Sequence, residues 1–503
     1  MNVSSVDYSD VQGLVRFGYA RMTDACYFLV NIKQTAAARQ WLATAPVTTA
    51  VTLNPPPKTA LQVAFTRQGL EALRVPQSVV AGFSPEFIAG MAFDENRSRR
   101  LGDVATNSPA NWRWGNADRV PHIVVMLFAE VGLLESWKTS IKGQSWSAAF
   151  EEIECLSTSD MEGREPFGFI DGISQPEIDW DQTRKIPING YERKYSNQVS
   201  LGEFLLGYRN EYGRYSDRPL VDPQDPAGFD LPLAEDQPGK KDLGRNGTYL
   251  VVRQLAQDVR GFWQFLDRTT NSQPEERYQL GSLMVGRAFA DGSPLVPLSR
   301  EAIPGITDQH NGIENQFTYD LDIDGTRCPY GAHIRRANPR NPDIPGDPQG
   351  LISTLIRILG FGNPNVRDDL IASTRFHRIL RRGREYGRKL TPEDALQPAP
   401  PQDVETGLHF LAINSNIQRQ FEFIQAAWLM RTKFDGMTEE SDPLLGNRIP
   451  VIGCPFTNTF SVPQSGGIRK RIMGLPQFIN VRGGAYFFLP GMSALRYLGR
   501  LQD

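Results

Sequence analysis

TYLVVRQLAQDVRGFWQFLD, residues 248–267, joins an apolar run to a segment in which apolar residues recur at helical spacing. The run TYLVV is rich in aromatic and β-branched residues, which favour a buried strand. Phe262, Trp263 and Leu266 then fall on one face of a 3.6-residue repeat, which is typical of an amphipathic helix. The segment therefore predicts a strand followed directly by a helix.

The same pattern occurs near the start of the chain, in CYFLVNIKQTAAARQWLATA, residues 26–45. A second pair of matching segments lies at residues 122–137 and 408–428, each with a strand-like run, a short break and a helix-like repeat. Two copies of a strand–helix–strand unit predict a duplicated α+β domain. A doubly wound parallel fold is disfavoured, because no glycine-rich phosphate turn opens either helix.

A stretch without periodicity separates the two copies. Residues 215–247 are dense in Pro, Asp and Gly, which is typical of a loop or linker. We therefore predict an N-terminal domain at 1–220, a linker at 221–246 and a C-terminal domain at 247–503.

Composition and charge narrow the classes of partner. The chain is 40% hydrophobic and 22% charged, with a net charge of -3, which indicates a globular protein without long-range attraction for nucleic acid or anionic membranes. Arginine-rich runs at 335–340 and 381–384 are interpreted as solvated faces. The N-terminus lacks the features of a secretory signal, and the longest apolar run, 122–134, is too short to span a bilayer. The sequence thus predicts a cytoplasmic location.

The four cysteines are widely separated along the chain and form no CxxC pair. A thiolate zinc site and a dense disulfide framework are therefore disfavoured. We expect these cysteines to be reduced and mostly buried.

EPFGFIDGISQP, residues 165–176, sets one acid, Asp171, among aromatic residues and glycines. Gly168 and Gly172 allow a tight turn or the close approach of a ligand. A carboxylate in such dry surroundings has an altered proton affinity and is a candidate acid or base. The alternative is an ordinary Asp-Gly turn whose acid faces water.

Two further segments contain candidate functional residues. In RCPYGAHIRRANPR, residues 327–340, His333 has small neighbours that would let a flat cofactor approach, and its imidazole could supply an axial nitrogen. The arginines that follow could neutralise cofactor carboxylates. In RFHRILRRGREYG, residues 375–387, a short strand could aim Arg381 into a pocket as a fixed positive charge. The alternatives are a histidine with a structural role only and basic surface clusters.

Together these segments resemble the dye-decolorizing peroxidases, a haem peroxidase family marked by a GxxDG motif. That motif is similar to residues 168–172, the family's proximal-histidine segment to 328–335, and its distal-arginine segment to 378–383. NWRWGN, residues 111–116, is similar to a segment of longer family members. The resemblance implies an α+β fold of two ferredoxin-like domains, each a mainly antiparallel sheet with packed helices, with haem b held between or within them.

The resemblance also implies roles for particular residues. His333 would be the axial ligand of the haem iron, and Arg335 would help to bind the cofactor. Asp171 would act as acid and base, and Arg381 would stabilise negative charge as the O–O bond breaks. The implied reaction is reduction of hydrogen peroxide and oxidation of dyes, phenols or other one-electron donors through a ferryl intermediate.

Other functions stay open at this point: a haem carrier or iron-recovering haem-binding protein, a catalytically silent α+β scaffold, and a related haem enzyme acting on chlorite. Homo-oligomer formation is also open.

Three departures from the family pattern concern the site. The gap of 48 positions between His333 and Arg381 (381 minus 333) predicts an insertion around 341–372. Glu385 stands where many members have proline. The strand that might supply an acidic partner for the histidine reads Asn414-Ser415-Asn416, so that partner is left unassigned.

Overall fold

The structure is a computed structural model that describes residues 5–183, 196–298, 313–340, 374–434 and 437–502. The strands are β1 (Asp24–Ile32), β2 (Thr59–Phe65), β3 (Ile123–Ala129), β4 (Phe150–Ser157), β5 (Glu177–Asp179), β6 (Gln198–Ser200), β7 (Leu220–Val221), β8 (Lys241–Asp242), β9 (Thr248–Gln257), β10 (Leu380–Arg381), β11 (Arg384–Tyr386), β12 (Gly407–Asn414), β13 (Thr459–Val462), β14 (Lys470–Met473) and β15 (Ile479–Leu489).

The helices lie between these strands and at both ends of the described chain. The α-helices are α1 (Gly13–Arg16), α2 (Thr35–Thr44), α3 (Arg67–Ala72), α4 (Gln77–Val80), α5 (Pro85–Ala89), α6 (Glu95–Leu101), α7 (Leu134–Lys142), α8 (Trp146–Ala149), α9 (Val259–Thr269), α10 (Pro274–Val285), α11 (His333–Ala337), α12 (Pro392–Leu396) and α13 (Met492–Arg500). Two π-helical stretches, Gln418–Glu422 and Ile424–Leu429, follow β12. No helix of the described residues is long and apolar enough to cross a membrane.

One large antiparallel sheet organises the molecule. Its strand order is β10-β12-β9-β15-β2-β3-β1-β4, with β11 also paired to β12. Within the N-terminal set the order is second, third, first, fourth strand. The C-terminal set consists of β9, β10, β12 and β15. Its order in the sheet, β10-β12-β9-β15, is likewise second, third, first, fourth strand along the chain. The predicted α+β class is confirmed, and the predicted strand–helix echoes correspond to β1–α2 and β9–α9.

The two sets of strands join between β15 and β2, where Phe488 pairs with Phe65. The segment between the two sets, predicted as a linker at 221–246, contains part of the short β7–β8 pair. The buried guanidinium of Arg218 forms an ion pair with Asp242 there. The division of the chain into two domains stays a prediction.

Both faces of the large sheet are buried. Along β9, Tyr249 and Val251 belong to the core beneath helices α2, α9 and α13, whereas Leu250 and Val252 face a second core. This two-sided burial explains why the strands read as continuous apolar runs rather than as alternating patterns. The functional cavity described below lies on the helix-covered face of the C-terminal strands, where residues of β9, β12 and β15 line it.

The motif NWRWGN packs against a glycine of β15. Trp114 forms a bridge with Gly483, and its indole nitrogen donates a hydrogen bond to Gln254 Oε1 at 2.9 Å. A Cβ atom on Gly483 would lie 2.5 Å from the Trp114 ring, which is closer than packed atoms tolerate. This close approach therefore requires glycine at position 483.

We predict that Gly483→Ala lowers the free energy of unfolding by about 1–3 kcal/mol, because Trp114 must leave its buried position. Chemical denaturation monitored by tryptophan fluorescence measures the change. Gly239→Ala is the matched control, since no atom lies within 4 Å of the Cβ that it adds. Equal stability of the two variants would contradict this description of the packing.

Candidate active site

A cavity of about 270 Å³ brings together residues from three predicted segments. Asp171, His333 and Arg381 all line it, although they lie far apart in the sequence. Its walls are mostly apolar, but many polar and charged side chains also line it. Such a composition is typical of sites for small molecules and cofactors. The structure therefore places the predicted acid, imidazole and guanidinium in one site.

The loop that carries Asp171 folds around a buried carboxylate at its start. Glu165 accepts hydrogen bonds from the amides of Phe167 and Phe169, each at 3.0 Å, and from Gln257 Nε2 at 2.9 Å. Gly168 has a φ of 97°, a conformation that favours glycine. Burial raises the pKa of Glu165 to about 7, against the lowering effect of these donors. Glu165, the first residue of the loop, thus stabilises the loop conformation, a role that the sequence analysis missed.

Asp171 forms an ion pair with Arg381 inside the cavity. Arg381 Nη1 donates to Asp171 Oδ1 at 2.7 Å, and the Gly172 amide donates to the same oxygen at 2.6 Å. Among the described residues none hydrogen-bonds Oδ2, and about a third of the side chain, 31%, is accessible. Burial raises the pKa of Asp171, but Arg381 and Gly172 outweigh it, so the pKa lies below its ordinary value. Asp171 is therefore an ionised carboxylate with one oxygen available to a ligand.

Strand β10 delivers Arg381 to this position. It pairs with β12, so that Leu380 lies opposite Ile413. Gln175 ties the loop to the strand, because its Oε1 accepts from the Arg381 amide at 3.0 Å and its Nε2 donates to the Arg381 carbonyl at 3.1 Å. Arg382 instead donates to the carbonyl of Leu14 at 2.9 Å. It is thus Arg381, and not its neighbour, that contacts Asp171.

His333 begins the short helix α11 and is held by a buried acid. Its Nδ1 lies 2.9 Å from Asp442 Oδ2, and the Asp442 side chain is fully buried. The other oxygen of Asp442 accepts from the amides of Leu444 and Leu445 at 2.9 and 2.8 Å. A carboxylate on Nδ1 favours the tautomer with its proton there, which leaves the Nε2 lone pair available as a ligand.

His333 and Asp442 each stabilise the charged form of the other. Burial lowers the pKa of His333, but Asp442 outweighs it and the pKa is raised. Burial raises the pKa of Asp442, but His333 and Arg336 lower it below its ordinary value. Asp442 is therefore the acidic partner that the sequence analysis left unassigned at Asn414-Ser415-Asn416. An Asp-Pro turn at 442–443 was visible in the sequence, but nothing in its spacing linked it to His333.

Arg335, predicted to bind the cofactor, is not among the residues that line the cavity. Its guanidinium donates to the Cys328 carbonyl at 2.7 Å and forms an ion pair with Asp322 at 3.2 Å. The assignment of Arg335 to the cofactor stays a prediction that this geometry does not support. The interpretation of residues 335–340 as a solvated face is wrong, because Arg335, Arg336 and Arg340 are buried.

Besides Arg381, four arginines line the cavity, Arg253, Arg287, Arg340 and Arg378, and two of them meet at one hydroxyl group. Arg287 Nη2 and Arg340 Nη2 both donate to the Ser174 hydroxyl, at 2.6 and 3.0 Å. Burial lowers the pKa of Arg287 to about 10, and the positive charge of Arg340 contributes to the lowering. Two neighbouring cations at a cavity wall favour binding of an anionic group. Arg340 belongs to the arginines after His333 that the sequence analysis considered for cofactor carboxylates, whereas Arg287 was missed.

The remaining departures from the family pattern have different outcomes. The predicted insertion at 341–372 lies outside the described residues. Glu385, on β11, is partly buried, and burial raises its pKa to about 7, with a further contribution from the negative charge of Asp171. Glu385 therefore belongs to the electrostatic surroundings of the site.

No protein-family model matches the chain. The chain is 28% identical over 518 residues to dye-decolorizing peroxidase msp1 of Mycetinis scorodonius, which covers 98% of this chain and 88% of that protein. It is 28% identical over 459 residues to the multifunctional dye peroxidase DyP2 of Amycolatopsis sp., with coverage of 87% and 82%. A solved structure of a dye-decolorizing peroxidase, whose haem pocket was engineered for asymmetric sulfoxidation, matches with a TM-score of 0.71 at 25% identity, covering 98% of this chain and 100% of that one.

We predict that Arg381→Leu raises the pKa of Asp171 above its ordinary value of about 3.9, because the buried carboxylate loses its cation. Infrared spectroscopy of the carboxyl stretch across a pH titration measures this. Arg388→Leu, which removes an exposed arginine from the same segment, should leave the pKa of Asp171 low. An unchanged titration in Arg381→Leu would show that the ion pair does not control Asp171.

Proposed function

We propose that the chain is a haem peroxidase of the dye-decolorizing peroxidase family, which reduces hydrogen peroxide and oxidises dyes, phenols or similar donors. The observation that carries the proposal is the meeting of Asp171, Arg381 and His333 in one cavity. We further propose that the haem is haem b and that the two equally ordered strand sets are ferredoxin-like units. A cytoplasmic location stays a prediction from the sequence.

The donor groups of the cavity fit a haem. His333 Nε2 forms no hydrogen bond with the described residues, and the other ring nitrogen contacts a carboxylate, which suits an axial ligand. Arg287 and Arg340 would hold the carboxylates of the porphyrin, because both line the cavity and their charges lie close together. When bound, the haem would supply the redox chemistry for peroxide reduction and for oxidation of the organic donor.

Asp171 would move the proton of the bound peroxide. Its Oδ1 is occupied by Arg381 and Gly172, so Oδ2 is the oxygen that would accept a proton and return it to the departing hydroxyl group. The low pKa of Asp171 keeps this oxygen unprotonated at acidic pH. A histidine in the same role would be protonated below about pH 6.5.

Arg381 would have two tasks. Its guanidinium keeps Asp171 ionised, and its remaining donors can stabilise negative charge on the departing oxygen. The contacts of Glu165 and Gln175 hold the loop and the strand in the arrangement that brings the two groups together. Removing a donor that stabilises developing charge typically costs about 100-fold or more in rate.

We predict that Asp171→Asn keeps the haem but slows the reaction with peroxide by about 100- to 10,000-fold, because the proton acceptor is lost. Stopped-flow absorption spectroscopy at increasing peroxide concentrations measures the rate. In the unaltered protein this rate should persist as the pH falls toward about 3.9 and decline only below it, where Asp171 takes up a proton.

Asp160→Asn is the control for this variant, because Asp160 is an exposed acid shortly before the same loop. It should react at the rate of the unaltered protein. Equal rates in Asp171→Asn and Asp160→Asn would remove Asp171 from the mechanism.

A second prediction concerns the ligand. His333→Ala should lose the haem or its axial bond, and the Soret band should weaken or shift. The control is His122→Ala, which should keep the spectrum. His122 directly precedes β3 and hydrogen-bonds the end of β1. A normal Soret band in His333→Ala would identify another ligand. A normal band with no peroxide reaction in the unaltered protein would instead favour a haem carrier.

A further inference from the structure

Two cysteines far apart in the sequence meet on neighbouring strands. Strands β1 and β4 are antiparallel, and Cys26 lies opposite Ser157 while Phe28 lies opposite Cys155. Cys26 and Cys155 are thus diagonal neighbours on one face of the sheet. Both cysteines are free thiols. The structure therefore contains an adjacent dithiol that no feature of the active site explains.

The two thiols differ in their access to solvent. Cys26 is completely buried, whereas Cys155 is exposed on β4, the last strand at its end of the large sheet. The other two cysteines, Cys328 and Cys454, are buried. A dissolved oxidant therefore reaches Cys155 before any other cysteine of the chain.

The surroundings of Cys155 favour its thiolate form. The neighbouring Cys26 thiol lowers the pKa of Cys155 to about 7, and the ammonium groups of Lys138 and Lys142 contribute to the lowering. The neighbouring Cys155 thiol and burial raise the pKa of Cys26. Glu135 and Glu152 form ion pairs with the two lysines and are the acids nearest to them. Near neutral pH a substantial fraction of Cys155 is therefore thiolate, beside a protonated Cys26 thiol.

We propose that Cys155 and Cys26 form a peroxide-oxidised dithiol site, in which Cys155 is attacked first and Cys26 closes a disulfide. The oxidant is hydrogen peroxide, and the reaction needs no haem, so the proposal does not depend on the proposed peroxidase function.

The reaction balances in two steps. The Cys155 thiolate sulfur attacks one oxygen of hydrogen peroxide, the O–O bond breaks, and hydroxide leaves, which gives a sulfenic acid. The Cys26 thiol then transfers its proton to the departing hydroxyl group while its sulfur bonds to that of Cys155, and water leaves. The dithiol loses two electrons, and one peroxide is reduced to two molecules of water once the first hydroxide is protonated.

Strand β4 is suited to this closure. A disulfide needs its two Cβ atoms about 3.5–4.5 Å apart, which is closer than diagonal neighbours in a regular sheet. Among the described strands of the sheet β4 pairs only with β1, so closure would displace β4 relative to one neighbouring strand. β4 also leads into the segment that carries Asp171, so the disulfide would fix the start of that segment to β1.

The test is oxidation of the purified full-length protein with a small excess of hydrogen peroxide, followed by thiol alkylation and peptide mass spectrometry. We expect a disulfide between the peptides of Cys26 and Cys155, reversed by dithiothreitol, while Cys328 and Cys454 stay reduced and react about tenfold or more slowly. His333→Ala should form the same disulfide at the same rate, which separates this chemistry from that of the haem.

Two variants assign the roles. Cys26→Ser should accumulate a sulfenic acid on Cys155 that dimedone traps, and Cys155→Ser should leave Cys26 reduced. Oxidation of Cys155 without linkage to Cys26 in the unaltered protein would overturn the proposal, and so would equal reactivity of Cys155, Cys328 and Cys454. Because both results come from the unaltered protein, poor folding of a variant does not affect the test.

Discussion

The ion pair between Asp171 and Arg381 is the contact on which the rest of the site depends. It joins a loop from the N-terminal half of the chain to a strand from the C-terminal half. A carboxylate inside a protein loses its hydration and takes up a proton unless nearby groups favour its charged form. Arg381 and the Gly172 amide supply that stabilisation on one oxygen. The other oxygen accepts no hydrogen bond from the described residues, which suits the role of proton acceptor at acidic pH that we propose for Asp171.

The same physical principle has a different result at His333. Asp442 is also a buried carboxylate, but all its contacts are within the protein: the imidazole on one oxygen and two backbone amides on the other. It therefore orients the histidine and exposes Nε2, without facing a substrate. In the proposed mechanism two acids therefore have two tasks, and the partners of each carboxylate determine which task it has.

The sequence allows part of this to be predicted. Asp171, His333 and Arg381 could be identified because each lies in a short segment whose neighbours are unusual: glycines, small residues or a strand end. Asp442 and Gln175 could not, because their roles arise only when distant segments pack together. Arg287 could not be identified for the same reason. Arg340 and Arg335 both belong to the arginine-rich segment after His333, and Arg335 was selected for its proximity to His333 in sequence. Local pattern predicted the strand–helix order, but not the pairing of β15 with β2, which depends on the packing of the whole sheet.

A crystal structure of the haem-loaded protein is the most direct test of the central claim. The account predicts an iron atom bonded to Nε2 of His333, with the Asp171–Arg381 pair facing the iron from the other side of the porphyrin. A haem bound through a different residue, or a haem site in which Asp171 contacts only bulk solvent, would contradict it.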